Sequence, residues 1–395
     1  MRWKSEIIER AARNFRTRRR DLEPEYEAFC KQRPWLDDSA LFLALRGEEH
    51  LGEPWPRWAV GLMDRDDVAI SRAKERLHDT MEGWKLPQFF FHRQWLALRQ
   101  CCKRQGVRMI GDLPIYVARN NVATWTNRSE FQLDQRGMPI AVSGVPADYF
   151  NPNGQFWNNP LYRWDQMRRN GYKWWIGRVQ NELDYVDAVR LDPFRGFQAY
   201  WAIGSDKKRA LDGEWIPGPS RDFLTALFQG LGGGDIPIIA EDLGEIDDPV
   251  RELVKWSGLP CMRVIQFGFN AEMDNNNTHL RHNHPKNCVV YTGTHDNDTA
   301  WGWYAGCGDS VRHHARVYMN SNGIHVNWDM VRQAYASEAL TAIVPVQDGL
   351  GLGSDSRMNR PGFPYGNWEF RLEEPLTAEL GHRLLELVRE YGRAA

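Results

Sequence analysis

Six short apolar runs, four of them stopping at or just before a carboxylate, constrain this chain more than any other feature of its sequence. They are Val107-Arg-Met-Ile-Gly-Asp112, Val186-Asp-Ala-Val-Arg-Leu-Asp192, Ile236-Pro-Ile-Ile-Ala-Glu241, Met262-Arg-Val-Ile-Gln-Phe267, Cys288-Val-Val-Tyr-Thr-Gly293 and Ala342-Ile-Val-Pro-Val346. Short apolar runs of this kind read as strands. Helical stretches separate most of them, as over residues 172–186 and 222–231. Strands alternating with helices imply an α/β fold with a parallel sheet.

Asp112, Asp192 and Glu241 end their runs, and Asp296 lies just past the fifth. Each alone reads equally well as a helix N-cap. A doubly wound sheet also binds ligands at its strand ends, but carboxylates from four strands suit a closed (β/α)8 TIM-type barrel better. Such a barrel needs eight strands, and only six are visible. Before residue 107 the sequence is charged and helical in texture, with apolar faces at Leu41, Phe42, Leu43 and Leu45 and an amphipathic helix over 89–105. The expected organisation is therefore a helical insertion subdomain over 1–90 and a barrel over 91–395 with an inserted loop at 118–170. The first two barrel strands are expected to be missing from the chain.

Bulk properties exclude several function classes. The net charge of −2 gives no basic field for nucleic acid or an anionic membrane. The basic start (Arg2, Lys4, Arg10, Arg13, Arg16 to Arg20) is interleaved with Glu6 and Glu9 and reads as a solvated helix face. No stretch approaches the roughly 18 apolar residues of a membrane span. The six cysteines have neither disulfide nor metal spacing, and no apolar signal core precedes them, so a cytoplasmic protein is expected. The histidines His282, His284, His313 and His314 read as solvated residues rather than as a metal site. The 18 tryptophans stand out. Most belong to the core, and some, such as Trp157 among asparagines, are placed to stack on sugar rings.

Retaining glycoside chemistry needs an ionised carboxylate to attack and a protonated one to donate, about 5–5.5 Å apart. Asp192 suits the first role, because Arg190 two positions earlier on a strand shares its face and favours its charge. Glu241 suits the second, because it ends an apolar strand that would desolvate it. Asp296, after His295, is placed to grip sugar hydroxyls.

Longer motifs sharpen this reading. Gly111-Asp-Leu-Pro-Ile-Tyr-Val117, Gly144-Val-Pro-Ala-Asp-Tyr-Phe150, Gly154-Gln-Phe-Trp-Asn-Asn-Pro-Leu-Tyr162, Arg190-Leu-Asp-Pro-Phe-Arg-Gly-Phe197, Ile239-Ala-Glu-Asp-Leu-Gly244, Tyr291-Thr-Gly-Thr-His-Asp-Asn-Asp298 and Asn359-Arg-Pro-Gly362 with Asn367-Trp368 follow one another along the chain. In that order they resemble the 4-α-glucanotransferases called amylomaltases or disproportionating enzymes. The resemblance implies a (β/α)8 barrel with helical insertions, maltodextrin donors and acceptors, and no metal or organic cofactor. It implies that Asp192 is the nucleophile, Glu241 the general acid/base and Asp296 the transition-state stabiliser. By the same match Asp112, Arg190 and His295 bind sugar near the cleaved bond. Gln155 and Trp157 fall in a mobile loop over the acceptor side, and Phe267 and Asn359 in looser contacts. Two departures stand out: Pro193, where histidine is common, and Phe363, where a small polar residue is common. Members of the family carry roughly a hundred more residues in front, so a separate N-terminal fragment completing the barrel is an expected partner. A plain α-glucan hydrolase and an inactive glucan-binding remnant are the competing expectations.

Overall fold

The computed structural model describes residues 2–18, 20–50, 52–147 and 152–393. Residues 148–150 of the Gly144–Phe150 motif, Arg19 and the side chains of Arg2, Lys4, Glu9, Arg16, Arg18 and Arg20 lie outside what is described. Ten strands occur among the described residues: β1 (Ile110–Pro114), β2 (Ala141–Val145), β3 (Gln155–Pro160), β4 (Ala188–Asp192), β5 (Ala199–Gly204), β6 (Glu214–Pro217), β7 (Ile238–Ala240), β8 (Cys261–Val264), β9 (Cys288–Tyr291) and β10 (Thr341–Ile343). The chain divides into two compact units. One holds Met1–Ala147, Asn153–Arg190 and Gly196–Pro237, and the other Asp148–Pro152, Leu191–Arg195 and Ile238–Ala395.

The first unit begins all-helical. Every element among the described residues between 2 and 104 is a helix, ending in the long helix His78–Arg104. Arg10 and Arg13 are exposed on the helix Arg2–Arg18. Phe15, Tyr26, Phe29, Leu36, Leu86 and Phe89 form the core between these helices. Phe15 meets Tyr26 edge-on at 5.5 Å and Phe89 at 6.0 Å, the offset geometry aromatic rings prefer. Asp187 ties β1 to β4. The Met109 carbonyl accepts from the Asp187 N–H at 2.8 Å, and the Asp187 carboxylate accepts from the Met109 N–H at 2.8 Å and from Arg99. These bonds hold the Asp187 carboxyl below its usual range. The same unit contains a four-stranded antiparallel sheet in the order β3-β2-β5-β6, which the apolar runs do not announce.

The second unit is built from parallel strands. β8, β9 and β10 pair in parallel, with Val264 opposite Tyr291 and Tyr291 opposite Ile343. The Ala240 N–H donates to the Pro260 carbonyl at 2.9 Å, setting β7 beside β8. Ile239, Met262 and Val289 from three successive strands meet in one cluster. The crossover between β7 and β8 is the helix Asp248–Ser257. It is capped by the Asp247 side chain on the Val250 N–H and stopped by Gly258, whose φ of +70° suits a residue without Cβ.

Each of the six apolar runs thus contributes a strand, the first only from Ile110 and the sixth only to Ile343. The fourth is shorter than its sequence suggests, because Ile265–Gly268 turns into a 3-10 helix that carries Phe267. The expected loop at 118–170 contains β2 and β3. Among the described residues, no helix is long and apolar enough to cross a membrane.

Candidate functional site

Of the four carboxylates singled out by the sequence, Asp192, Glu241 and Asp296 lie in the second unit, each at or beyond the carboxyl end of a strand, and Asp112 lies in the first, within β1. Asp192 is the last residue of β4, and its peptide bond to Pro193 is cis. Glu241 follows β7 directly. Its N–H donates to the Leu191 carbonyl at 3.1 Å, and its own carbonyl accepts from the Phe194 N–H at 3.0 Å. The backbone on both sides of Asp192 is therefore bonded to the Glu241 peptide. The Glu241 residue is 6 % exposed, and its Oε1 accepts from the Leu243 N–H at 2.9 Å, which fixes the carboxylate.

Asp296 sits in the turn after β9. The Asn359 Nδ2 donates to its Oδ1 at 2.5 Å, and the His295 Nε2 lies 3.5 Å from its Oδ2. Arg357 braces the same turn. Its Nη2 donates to the Asp296 carbonyl at 2.5 Å and its Nε to the Asn359 carbonyl at 2.8 Å. Burial pulls the Arg357 guanidinium below its usual range. The Asn359 N–H closes the arrangement on the His295 carbonyl at 3.1 Å, and the Trp368 ring lies 5.1 Å from the His295 ring. Phe267 is half-buried against His279 at 5.5 Å, with its carbonyl held by Asn277 at 2.9 Å.

The remaining site residues named by the sequence lie in the first unit. Arg190 grips Asp112 with both arms of its guanidinium, Nε to Oδ1 at 2.9 Å and Nη2 to Oδ2 at 2.7 Å. This two-point geometry is the strongest form of the pair. Gln155 and Trp157 lie on β3, a strand rather than a loop, and the Trp157 Nε1 donates to the Gln155 Oε1 at 3.2 Å. Tyr116 stands 6.1 Å from the Trp157 ring.

Three supports escaped the sequence reading. Asp242, next to Glu241, is buried, and it accepts from the Met262 N–H at 2.7 Å and from Arg263 at 3.0 Å. Burial pushes its carboxyl up against the pull of that guanidinium. Asp348 is buried beneath the Asp296 turn. It accepts from Thr292 at 2.5 Å and from the Ala300 N–H at 2.7 Å, so it grips the chain on both sides of residues 293–299. Burial pushes the Asp348 carboxyl up. Arg357 is the third. Only its place two residues before Asn359 hints at it. The histidine reading needs correction: His284 and His314 are buried, not solvated. His284 is bonded to Ser337 and the His279 carbonyl, and His314 to the backbone of Asn270. No cluster of three His, Cys, Asp or Glu that could hold a metal occurs among the described residues.

Comparison with known proteins adds an independent finding. A family model described as 4-alpha-glucanotransferase matches residues 1–377. The 4-alpha-glucanotransferase of Thermus thermophilus is 41% identical over 97% of this chain and 78% of its own length. That of Synechocystis is 39% identical over 99% of this chain and 78% of its own. The chloroplastic/amyloplastic enzyme DPE1 of Oryza sativa subsp. japonica is 40% identical over 99% of this chain, which spans 66% of the rice protein. Among solved structures, the amylomaltase from Streptococcus agalactiae in complex with acarbose superposes with a TM-score of 0.93 at 34% identity, covering 98% of this chain and 78% of that one. The amylomaltase from Corynebacterium glutamicum shares the fold at a TM-score of 0.70 and 18% identity.

Proposed function

This chain belongs to the 4-alpha-glucanotransferase family, with an amylomaltase-like fold, and on that premise we propose that it moves α-1,4-glucan segments between maltodextrins by retaining double displacement. The Asp192 carboxylate attacks the anomeric carbon of the donor while the Glu241 carboxyl gives its proton to the departing 4-oxygen. A β-glycosyl ester on Asp192 and a shortened glucan result. Glu241, now a carboxylate, takes the proton from the 4-hydroxyl of an acceptor, which attacks the ester and restores an α-1,4 bond and a free Asp192. Two inversions give net retention. Asp296, held by Asn359 and beside His295, binds hydroxyls of the sugar as its ring flattens.

The observation that carries this reading is that Asp192 and Glu241 at strand ends and Asp296 in the turn after β9 belong to one compact unit, with the Glu241 peptide bonded to Leu191 and Phe194 on either side of Asp192. His295, Phe267 and Asn359 of the second unit, and Asp112, Arg190, Gln155 and Trp157 of the first, carry sugar-binding roles in it. The reaction draws on side chains alone. The finer architecture goes with the reading: barrel strands interrupted by helical insertions, a helical subdomain over 1–90 and the insertion at 118–170. Six free thiols support a reducing, cytoplasmic setting.

Transfer must outrun hydrolysis, so a bound acceptor has to exclude water from the ester. Maltotriose is the discriminating substrate. The reading predicts a ladder of longer maltodextrins with little net gain of reducing ends. Glucose and maltose alone would make the protein a hydrolase, and binding without turnover would make it a glucan-binding remnant.

A further inference from the structure

We propose that Asp348 is a positioning residue for Asp296: its buried side chain clamps both ends of the turn that carries Asp296 and so sets where that carboxylate meets the sugar in the transition state. The inference rests on the transferase reading above and deepens it, by naming a residue on which the rate depends although it acts only through another.

The turn runs from Thr292, directly after β9, to Ala300, the first residue of the helix Ala300–Gly306. Thr292, Ala300 and Asp348 are sealed from water at 0%, 0% and 1% exposure. Each oxygen of Asp348 takes one end of the turn. Oδ2 accepts from the Thr292 hydroxyl at 2.5 Å and Oδ1 from the Ala300 N–H at 2.7 Å. One short side chain therefore sets the spacing between the strand end and the helix start, with His295 and Asp296 held between them. Asp348 has little freedom of its own. Its N–H donates to the Pro345 carbonyl at 3.0 Å, and its carbonyl accepts from the Gly351 N–H at 3.1 Å and from the Asn327 Nδ2 at 2.8 Å. Asn327 is itself buried on the helix Val326–Tyr335, so the clamp is referred to a second helix.

Bonds inside the turn give it a shape. The Thr294 N–H and hydroxyl donate to the Asn297 Oδ1 at 2.9 and 2.8 Å, and the Asp296 N–H donates to the Thr294 Oγ1 at 3.3 Å. Such bonds travel with the turn as a body and do not place it. Placement comes from anchors outside it: Arg357 and Asn359, Gln266 and Ser354 on Asp298 at 2.8 Å each, and Asp348 at both flanks. A group that stabilises a transition state must be held to a fraction of an ångström, and a shift of about 1 Å costs on the order of a hundredfold in rate. The contacts of Asp296 strengthen as the sugar ring flattens, so loosening it lowers kcat and leaves KM nearly alone.

The test measures kcat and KM on maltotriose, and fluoride release from α-glucosyl fluoride, for Asp348→Ala, Asp348→Asn and Thr292→Val, each alone and on top of Asp296→Ala. Thr292→Val cuts one of the two links and keeps the side chain's shape, so it carries the test if the alanine variant fails to fold. Asp348→Ala is expected to lose about thirtyfold in kcat and Thr292→Val about fivefold, with KM within about twofold of the wild type. Asp348→Asn keeps both links, since its amide oxygen accepts from Ala300 and its amide N–H donates to the Thr292 oxygen, and kcat should stay within about threefold. On top of Asp296→Ala the same substitutions should cost less than about twofold in fluoride release, because the side chain through which residue 348 acts is already gone. A purely structural role would instead multiply in full. Losses that multiply in full, a rise in KM at constant kcat, an unaltered kcat in Asp348→Ala, or an asparagine variant as poor as the alanine one each overturn the inference. A wild type that turns over neither donor sinks the transferase reading and this one with it. A wild type that builds the maltodextrin ladder while the losses multiply sinks this inference alone.

Discussion

Replacing Arg263 with methionine tests the support beneath the candidate acid/base. In the native chain Asp242 is buried and relies on Arg263 at 3.0 Å and the Met262 N–H at 2.7 Å. Arg263→Met keeps much of the side chain's volume and removes the counter-charge, so a carboxylate remains out of water with only backbone N–H donors. Stranding one partner of a buried pair costs about 3–5 kcal/mol. A unit of roughly 150–250 residues loses about 2–4 °C per kcal/mol, so the melting transition should drop by roughly 10 °C. Calorimetry at pH 7 reads this directly. Asp242→Asn combined with Arg263→Met removes both charges and should recover most of the loss, because an amide still accepts from the Met262 N–H. A single variant that melts within about 2 °C of the wild type, or a double variant worse than the single, would refute the argument.

Three further outcomes are expected. His279 and His284 are held down to about 3 and about 4, chiefly by burial. Their unfolded pKa is about 6.5, so the unfolded chain binds protons first as pH falls. Their contribution to stability is full above pH ~6.5 and is lost towards pH ~4, at up to about 1.4 kcal/mol per pH unit for each histidine. Denaturant midpoints that stay flat between pH 7 and pH 5 would contradict this. Arg357→Met unclips the Asp296 and Asn359 carbonyls and should lower kcat for transfer about tenfold, with little change in melting and partial recovery on adding guanidinium ions. Unaltered kcat, or loss that guanidinium leaves untouched, would count against a bracing role. Arg190→Lys replaces a two-point grip on Asp112 with a point charge, so kcat/KM should fall about tenfold or more, and parity with the wild type would show that the fork is dispensable.

The parallel strands were legible because a strand covered on both faces is written as an unbroken apolar run, as in Val289-Val290 and Ile238-Ile239. The carboxylates followed, because each such run has one carboxyl end. The antiparallel sheet was not legible. Its β3 reads Gln-Phe-Trp-Asn-Asn-Pro, in which amides and a proline hide the strand, and its pairing with β2 comes from segments that alternate only weakly. Asp242 and Arg263 were invisible as partners, since the pair forms only when β7 and β8 lie side by side. His284 and His314 looked like surface residues because histidine is polar. Their burial depends on a serine hydroxyl and backbone groups that the sequence brings together only through the fold. The sequence puts Arg190 and Asp192 on one strand face, and the fold adds that the Arg190 guanidinium also grips Asp112. Spacing along one strand says which face a side chain takes, not which neighbour on the next strand will claim it.

The most direct measurement labels the nucleophile. Glu241→Gln protein, given an α-glucosyl donor with a fluoride leaving group, needs no acid to form the ester and lacks the base to release it. Peptide mass spectrometry should then find one hexose on the peptide carrying Asp192, and none when Asp192 is replaced by Asn. A hexose on any other residue, or an adduct that survives Asp192→Asn, would contradict the account.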